Sequence, residues 1–175
     1  MTVHARQESA TTTSADPAEC ARSIALGMLN HSPRSSGQVR SRLRDKDIPA
    51  AVIDEVIDRY IEVGLLDDAA LAATIVRTRH QEKGRARTAI EMELCRKEFP
   101  ADAIESALEQ ITADDEYVTA HALGASRWRS LEGHTDEVRS RRVAGMLGRK
   151  GYSPSVAFAV VKSLSGADNE GISSM

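Results

Sequence analysis

Leu43-Arg44-Asp45-Lys46-Asp47-Ile48-Pro49 decides the fold because it returns twice, as Leu94-Cys95-Arg96-Lys97-Glu98-Phe99-Pro100 and as Leu147-Gly148-Arg149-Lys150-Gly151-Tyr152-Ser153. Each copy reads Leu, two residues, Lys, one residue, a large apolar side chain, then Pro or Ser. Leu43 to Leu94 is 51 positions and Leu94 to Leu147 is 53. A helical pattern leads into each copy and an apolar-striped helical pattern follows it. A period this long, with one unit of secondary structure per copy, marks a repeat architecture.

Working outward from the first copy, Asp16-Pro17 suits a helix start, since Asp caps free N–H groups and Pro fits the first turn. That helix runs to Asn30, with Ala21, Ile24, Ala25, Met28 and Leu29 inward. Ser35 or Ser36 caps a second helix that reaches Lys46 and points only Val39 and Leu43 inward. A third begins at Pro49 and carries Val52, Ile53, Val56, Ile57, Tyr60 and Ile61 as a stripe, with Gly64 as its stop. Around the second copy the same plan gives helices bearing Leu71, Ile75 and Val76, then Ala86, Ile90 and Leu94, then Ala103, Ile104, Ala107, Leu108 and Ile111. The last five stand 51 positions after Val52, Ile53, Val56, Ile57 and Tyr60. Around the third copy the stripes are Tyr117, Ala120, Gly124, Trp128 and Leu131; Val143, Met146 and Leu147; and Val156, Val160, Val161 and Leu164.

No segment alternates with period two. The expectation is an all-α protein, an elongated, curved array of three tandem three-helix repeats with about nine helices in all. Its divisions are a disordered tail over 1–15, repeats over 16–66, 67–113 and 114–165, and a frayed tail over 166–175.

Composition is consistent with this. The 175 residues are 41% apolar and only 3% aromatic, so the core must be built from Ala, Val, Ile and Leu. The net charge is -3, which gives no whole-chain argument for nucleic-acid binding; a basic site must be local. Cys20 and Cys95 are too few for a disulfide scaffold. Met1 to Ser14 has no apolar segment of a signal peptide, and no run approaches the ~18 apolar residues of a membrane span. The reading is a soluble, cytoplasmic protein with no membrane partner.

Catalytic patterns are not evident. The five histidines are scattered without metal-ligand spacing and read as surface or capping residues, so no metal and no catalytic residue is expected. There is no phosphate-binding glycine loop and no nucleophile elbow. Asp67-Asp68 and Asp114-Asp115 fall at unit boundaries, where carboxylates favour the positive end of a helix. The protein reads as a non-enzyme.

Charge, however, is segregated by position in the repeat. Arg34, Arg40, Arg42, Arg44 and Lys46 lie on or beside the second helix. Arg139, Arg141, Arg142, Arg149 and Lys150 lie on or beside the eighth, with Arg127 and Arg129 on the seventh. Acids concentrate on the helices after the joints, at Asp54, Glu55, Asp58, Glu62, Glu105 and Glu109. Recurrence of the basic cluster in the first and third units reads either as a solvated face or as an electrostatic surface for phosphates or an acidic protein.

Taken together, Arg34-Ser35 with Leu43-Arg44-Asp45-Lys46, Gly64-Leu65-Leu66-Asp67-Asp68 with Ala72 and Arg79, Gly84 with Glu93-Leu94 and Lys97, and the closing Leu147 to Ser153 resemble the RecX family of bacterial RecA regulators. The resemblance spans about residues 18 to 165. Leu71 and Ile75 stand where the family often has Phe and Trp. Asp47-Ile48 and Glu98-Phe99 replace its usual Gly-aromatic pair. The resemblance implies an inhibitor that binds in the groove of the RecA–DNA filament and lowers ATPase, strand-exchange and coprotease activity; a monomer is the simpler reading of an uneven three-unit rod. The twelve basic residues named above would be the partner contacts, with DNA phosphates a second possible target and no cofactor. The alternatives are a helix-turn-helix DNA-binding transcription regulator and a generic protein-binding helical scaffold. The acidic helices after the joints suit a major-groove reader poorly.

Overall fold

The three heptads fold into one local structure, a Schellman turn. In the first, the Ile48 N–H donates to the Leu43 carbonyl (3.2 Å) and the Asp47 N–H to that of Arg44 (3.0 Å). The pairs recur as Phe99 to Leu94 (3.2 Å) with Glu98 to Cys95 (2.9 Å), and as Tyr152 to Leu147 (3.2 Å) with Gly151 to Gly148 (3.0 Å). The residue before each large apolar side chain is left-handed: Asp47 and Glu98 at φ 57°, Gly151 at φ 94°. The spacing of the heptad follows. Leu supplies the accepting carbonyl and an inward side chain, and the apolar residue five positions on closes over it.

The computed structural model describes residues 16–170. The helices are α1 (Pro17–His31), α2 (Ser36–Arg44), α3 (Ala50–Glu62), α4 (Asp68–Arg77), α5 (Arg87–Arg96), α6 (Ala101–Leu108), α7 (Ala113–Arg129), α8 (Asp136–Arg149) and α9 (Pro154–Glu170). No strand occurs among the described residues. Helix packs on helix within each repeat, and each repeat has its own buried cluster. Val39, Leu43, Ile53 and Tyr60 anchor the first, Ile90, Leu94, Phe99 and Leu108 the second, and Trp128, Val143, Leu147 and Val160 the third.

Several expectations are corrected. Pro49 and Pro100 are N-caps rather than first helical residues. The second helix ends at Arg44, because the Schellman turn takes up Asp45 to Asp47. Ile61 is 52% exposed: one residue past Tyr60, it has rotated about 100° out of the arc that faces α1 and α2. Tyr117 also lies outside the core, its ring beside that of His121. The fourth helix gives way to a π turn over Thr78–Glu82, and this extra residue per turn directs Arg79 and His80 inward. The ninth helix spans Pro154–Glu170. The expected N-terminal tail, 1–15, and residues 171–175 lie outside the described residues.

Neighbouring repeats meet by one plan used twice. The start of a middle helix abuts the Schellman turn of the following repeat. Ser35 Oγ donates to the Lys97 carbonyl (2.5 Å), and the Ala86 N–H donates to that of Lys150 (3.0 Å). A carboxylate from the following repeat's first helix accepts from the next amide: Asp68 from Ser36 (2.9 Å), Glu116 from Arg87 (2.8 Å). Asp68 therefore does more than stabilise its own helix; the N-cap there is Asp67.

Candidate partner-binding surface

Helix α2 exists because Ser35 and Gln38 form a capping box and because Val39 and Leu43, four residues apart, bury one stripe. The remaining positions are left for cations. Arg42, Arg44 and Lys46 are exposed, while Arg40 is tied to Asp54 of α3. Arg34, in the loop before α2, is half-buried beside Leu29, Asp67 and Leu71.

Helix α8 buries Val143 and Leu147 in the same way and leaves Arg141, Arg142 and Arg149 outward. Arg142 and Arg149, seven residues apart, share a face. Arg142 Nη1 lies 3.2 Å from His134 Nε2. Arg127 and Arg129 at the end of α7 are exposed, Arg127 within 3.5 Å of the Ser130 hydroxyl.

Two of these residues, Arg139 and Lys150, make contacts within the chain. Arg139 keeps only 13% of its side chain exposed and stacks 4.1 Å above the centroid of the Trp128 ring. It also pairs with Asp136 (3.1 Å) and donates to the Trp128 carbonyl (3.4 Å). Counting back from the joint leucines, Arg139 occupies the place of Ser35 and Ala86. Helix α8 is a turn longer at this end, and at the position where the other two repeats bond to their neighbour Arg139 stacks on Trp128 of its own repeat. Lys150 Nζ reaches back to the Lys83 carbonyl (2.7 Å), a tie between repeats. Setting aside Arg40 and the half-buried Arg34 as well, eight outward cations remain: Arg42, Arg44, Lys46, Arg127, Arg129, Arg141, Arg142 and Arg149.

The sequence reading missed the ion cluster of the middle repeat. Glu93 is 5% exposed and surrounded by Arg79, Arg85 and Lys97. Arg79 grips it through Nε (3.1 and 3.0 Å) and Nη2 (2.9 Å); Arg85 stands at 3.3 Å and Lys97 at 3.2 Å. Arg79's hydrogen bonds, helped by Lys97 and opposed by burial, hold the carboxyl at about 2 against an ordinary 4.5. The i, i+4 spacing of Glu93 and Lys97 is a visible signal; the arrival of Arg79 across the fold is not. His80, expected as a surface or capping residue, is 7% exposed and bridges repeats two and three: Nδ1 lies 3.0 Å from the Arg85 carbonyl and Nε2 3.2 Å from the Thr119 hydroxyl.

Among the described residues no cluster of His, Cys, Asp or Glu is arranged to hold a metal, and no helix is long and apolar enough to cross a membrane.

Comparison with known proteins matches each unit separately. Family models for the first, second and third three-helix domains of RecX match residues 21–59, 67–108 and 114–161. Regulatory protein RecX of Streptomyces coelicolor is 42% identical over 147 residues, covering 84% of this chain and 78% of that one. The Thermobifida fusca protein of the same name is 39% identical over 142 residues, covering 81% and 77%. The crystal structure of RecX from Lactobacillus salivarius shares the fold, with a TM-score of 0.73 at 22% identity over 86% of this chain and 98% of that one. A second RecX crystal structure aligns with a TM-score of 0.66 at 26% identity, covering 85% and 73%. Three consecutive domain matches in the family's order, on a fold of three tandem repeats, place this chain in the RecX family of regulatory proteins.

Proposed function

We propose that this protein is a non-enzymatic inhibitor of the RecA recombinase, binding in the groove of the RecA–DNA filament and lowering its ATPase, strand-exchange and coprotease activities. The observation that supports this beyond family membership is the set of outward cations on α2 and α8, the corresponding helices of the first and last repeats. Held at two separate places on a tandem array, they suit a partner that is itself periodic and anionic, as a nucleoprotein filament is. Arg42, Arg44 and Lys46 on one repeat and Arg141, Arg142 and Arg149 on the other are the expected contacts.

The test adds purified protein to RecA assembled on single-stranded DNA and follows ATP hydrolysis and light scattering. Inhibition at stoichiometric ratios is expected. No effect at those ratios sinks the reading, and sequence-selective duplex binding without RecA would replace it with a DNA-binding regulator. Reversing Arg141, Arg142 and Arg149 to Glu should weaken inhibition at least tenfold, roughly 1.4 kcal/mol or more, while leaving helicity intact. Arg139 is kept out of that variant because it holds α8 to Trp128.

A further inference from the structure

Helices α8 and α9 of the last repeat enclose an open groove of about 450 Å³ whose exposed lining is almost wholly apolar. Ala144 and Gly148 form one wall, Phe158 and Val161 the other, Tyr152 lies at the base, and Arg141 stands at one end. Phe158 is 69% exposed, a large aromatic left in water at the groove's edge. The corresponding place in the first repeat is closed by charge. Counting from the joints, Ala144 corresponds to Arg40 and Phe158 to Asp54, and those two form an ion pair across α2 and α3. In the second repeat the positions hold Glu91 and Glu105.

The molecule's own interfaces show what this end of a repeat receives. In the first repeat Ser36 and Gly37 meet the Asp68 carboxylate and the Glu98 backbone; in the second, Arg87 meets the Glu116 carboxylate. Each time, a carboxylate-bearing helix from the next repeat covers the start of the middle helix. The third repeat has Ser140 and Arg141 at those positions, and no described residue follows to cover them. Exposed cations on the two helices are Arg141, Arg142, Arg149 and Lys162; the acids lie at the far ends, Asp136 and Glu137 in the first turn of α8 and Asp168 and Glu170 in the last turn of α9, well past Phe158 in sequence.

We propose that this groove is a docking site for an acidic amphipathic helix of a partner protein, with a large apolar side chain seated against Ala144, Gly148 and Phe158 and a carboxylate on Arg141. It goes beyond the regulatory reading, since it specifies the chemistry of a docked segment whether or not RecA supplies it. An apolar anchor in a pocket with a charged rim is the arrangement that concentrates binding energy in few residues.

The experiment uses the full chain and a fluorescein-labelled amphipathic peptide with Leu and Phe on one face and Glu on the other, read by anisotropy. A second peptide carries Lys in place of every Glu. The Glu peptide should bind about tenfold or more tighter than the Lys peptide, and Phe158→Asp and Arg141→Glu should each weaken it about tenfold. The double variant Ala144→Arg/Phe158→Asp rebuilds the first repeat's ion pair; it should close the groove and lose the Glu peptide while its thermal melt stays cooperative. Equal affinity for the two peptides, no binding of either, or retained binding by the folded double variant overturns the proposal. Displacement of the bound peptide by an oligo-dT strand at equimolar concentration would assign the groove to nucleic acid and overturn it as well.

Discussion

The junction between repeats one and two and the junction between repeats two and three share a plan but differ in material. The first is polar: Ser35 Oγ on the Lys97 carbonyl, Ser36 on Asp68, and Ser41 on the Glu98 carboxylate. The second includes apolar burial. Ala86 belongs to the third repeat's core, Gly84 lies under Leu123, and Tyr152 extends its hydroxyl to the Gly84 carbonyl (3.2 Å) from a site that pushes its pKa up to about 12 by burial. Hydrogen bonds exchanged with water add about 1 kcal/mol each, whereas apolar burial accumulates with area. The second junction should therefore hold repeats two and three as one cooperative body, with repeat one attached more loosely.

The largest effect is expected from Gly151→Ala. At φ 94° an L side chain is strained, and its Cβ would stand 2.5 Å from that of Ala89 on the facing repeat. Left-handed strain of ~1–2 kcal/mol and overpacking of ~1–3 kcal/mol together give a loss of about 3 kcal/mol. Urea unfolding by circular dichroism measures it, and a loss under about 1 kcal/mol would show that this junction yields easily.

Acid is the next test, and it acts near the first junction. Lys97, whose carbonyl receives Ser35, is held by Glu93 through its ammonium group. Because the folded-state pKa of Glu93 is depressed, its stabilisation is present in full above about pH 4.5 and is lost as pH falls toward 2. That difference amounts to on the order of 3 kcal/mol, shared with the rest of repeat two. A Glu93→Gln variant should be less stable at pH 7 and have a flatter stability profile between those pH values. A profile parallel to that of the unaltered protein would show that Glu93 is not the titrating group.

The contrast between junctions also marks what the sequence makes legible. The three joints are legible because they are local: Leu43 and Ile48 are five residues apart, so spacing alone reveals the joint, though not that it is a Schellman turn. The stripes Val52 to Tyr60 and Ala103 to Ile111 were visible for the same reason. Junction contacts were not, since Ser35 and Lys97 are paired by tertiary docking and no periodicity encodes which hydroxyl meets which carbonyl. Arg79 and Glu93 failed to stand out because a π turn brings them together. Arg139 read as one more outward cation; only the extra turn of α8 and the position of Trp128 turn it inward. Lys150 likewise carries no sequence sign that its ammonium group spans two repeats to reach the Lys83 carbonyl.

Gly37→Ala probes the polar junction directly. Its Cβ would fall 2.0 Å from the Glu98 carbonyl oxygen, a backbone atom that moves only with the whole turn. Between repeats joined by apolar burial that clash would strain both cores. Here the repeats can separate slightly, so a loss of about 2 kcal/mol or less is expected, smaller than for Gly151→Ala. Faster amide exchange should appear at the start of α2 while the core of α3 stays protected. Equal losses for the two glycine variants would remove the distinction between the junctions.

Asp47→Gly should have the smallest effect, and in the stabilising direction. Asp47 holds φ 57° in a turn whose counterpart in the third repeat is Gly151, and it is itself exposed. Glycine relieves left-handed strain of ~1–2 kcal/mol but adds ~0.5–1 kcal/mol of unfolded-chain entropy, leaving a net gain of about 0.5–1 kcal/mol. Glu98→Gly relieves the same strain but removes the carboxylate that Ser41 holds at the first junction, so its gain should be smaller. The two melts therefore measure how much that contact contributes. If Glu98→Gly stabilises as much as Asp47→Gly, the hydroxyl–carboxylate contact adds nothing, and the first junction rests on Ser35, Ser36 and the close approach of Gly37 alone.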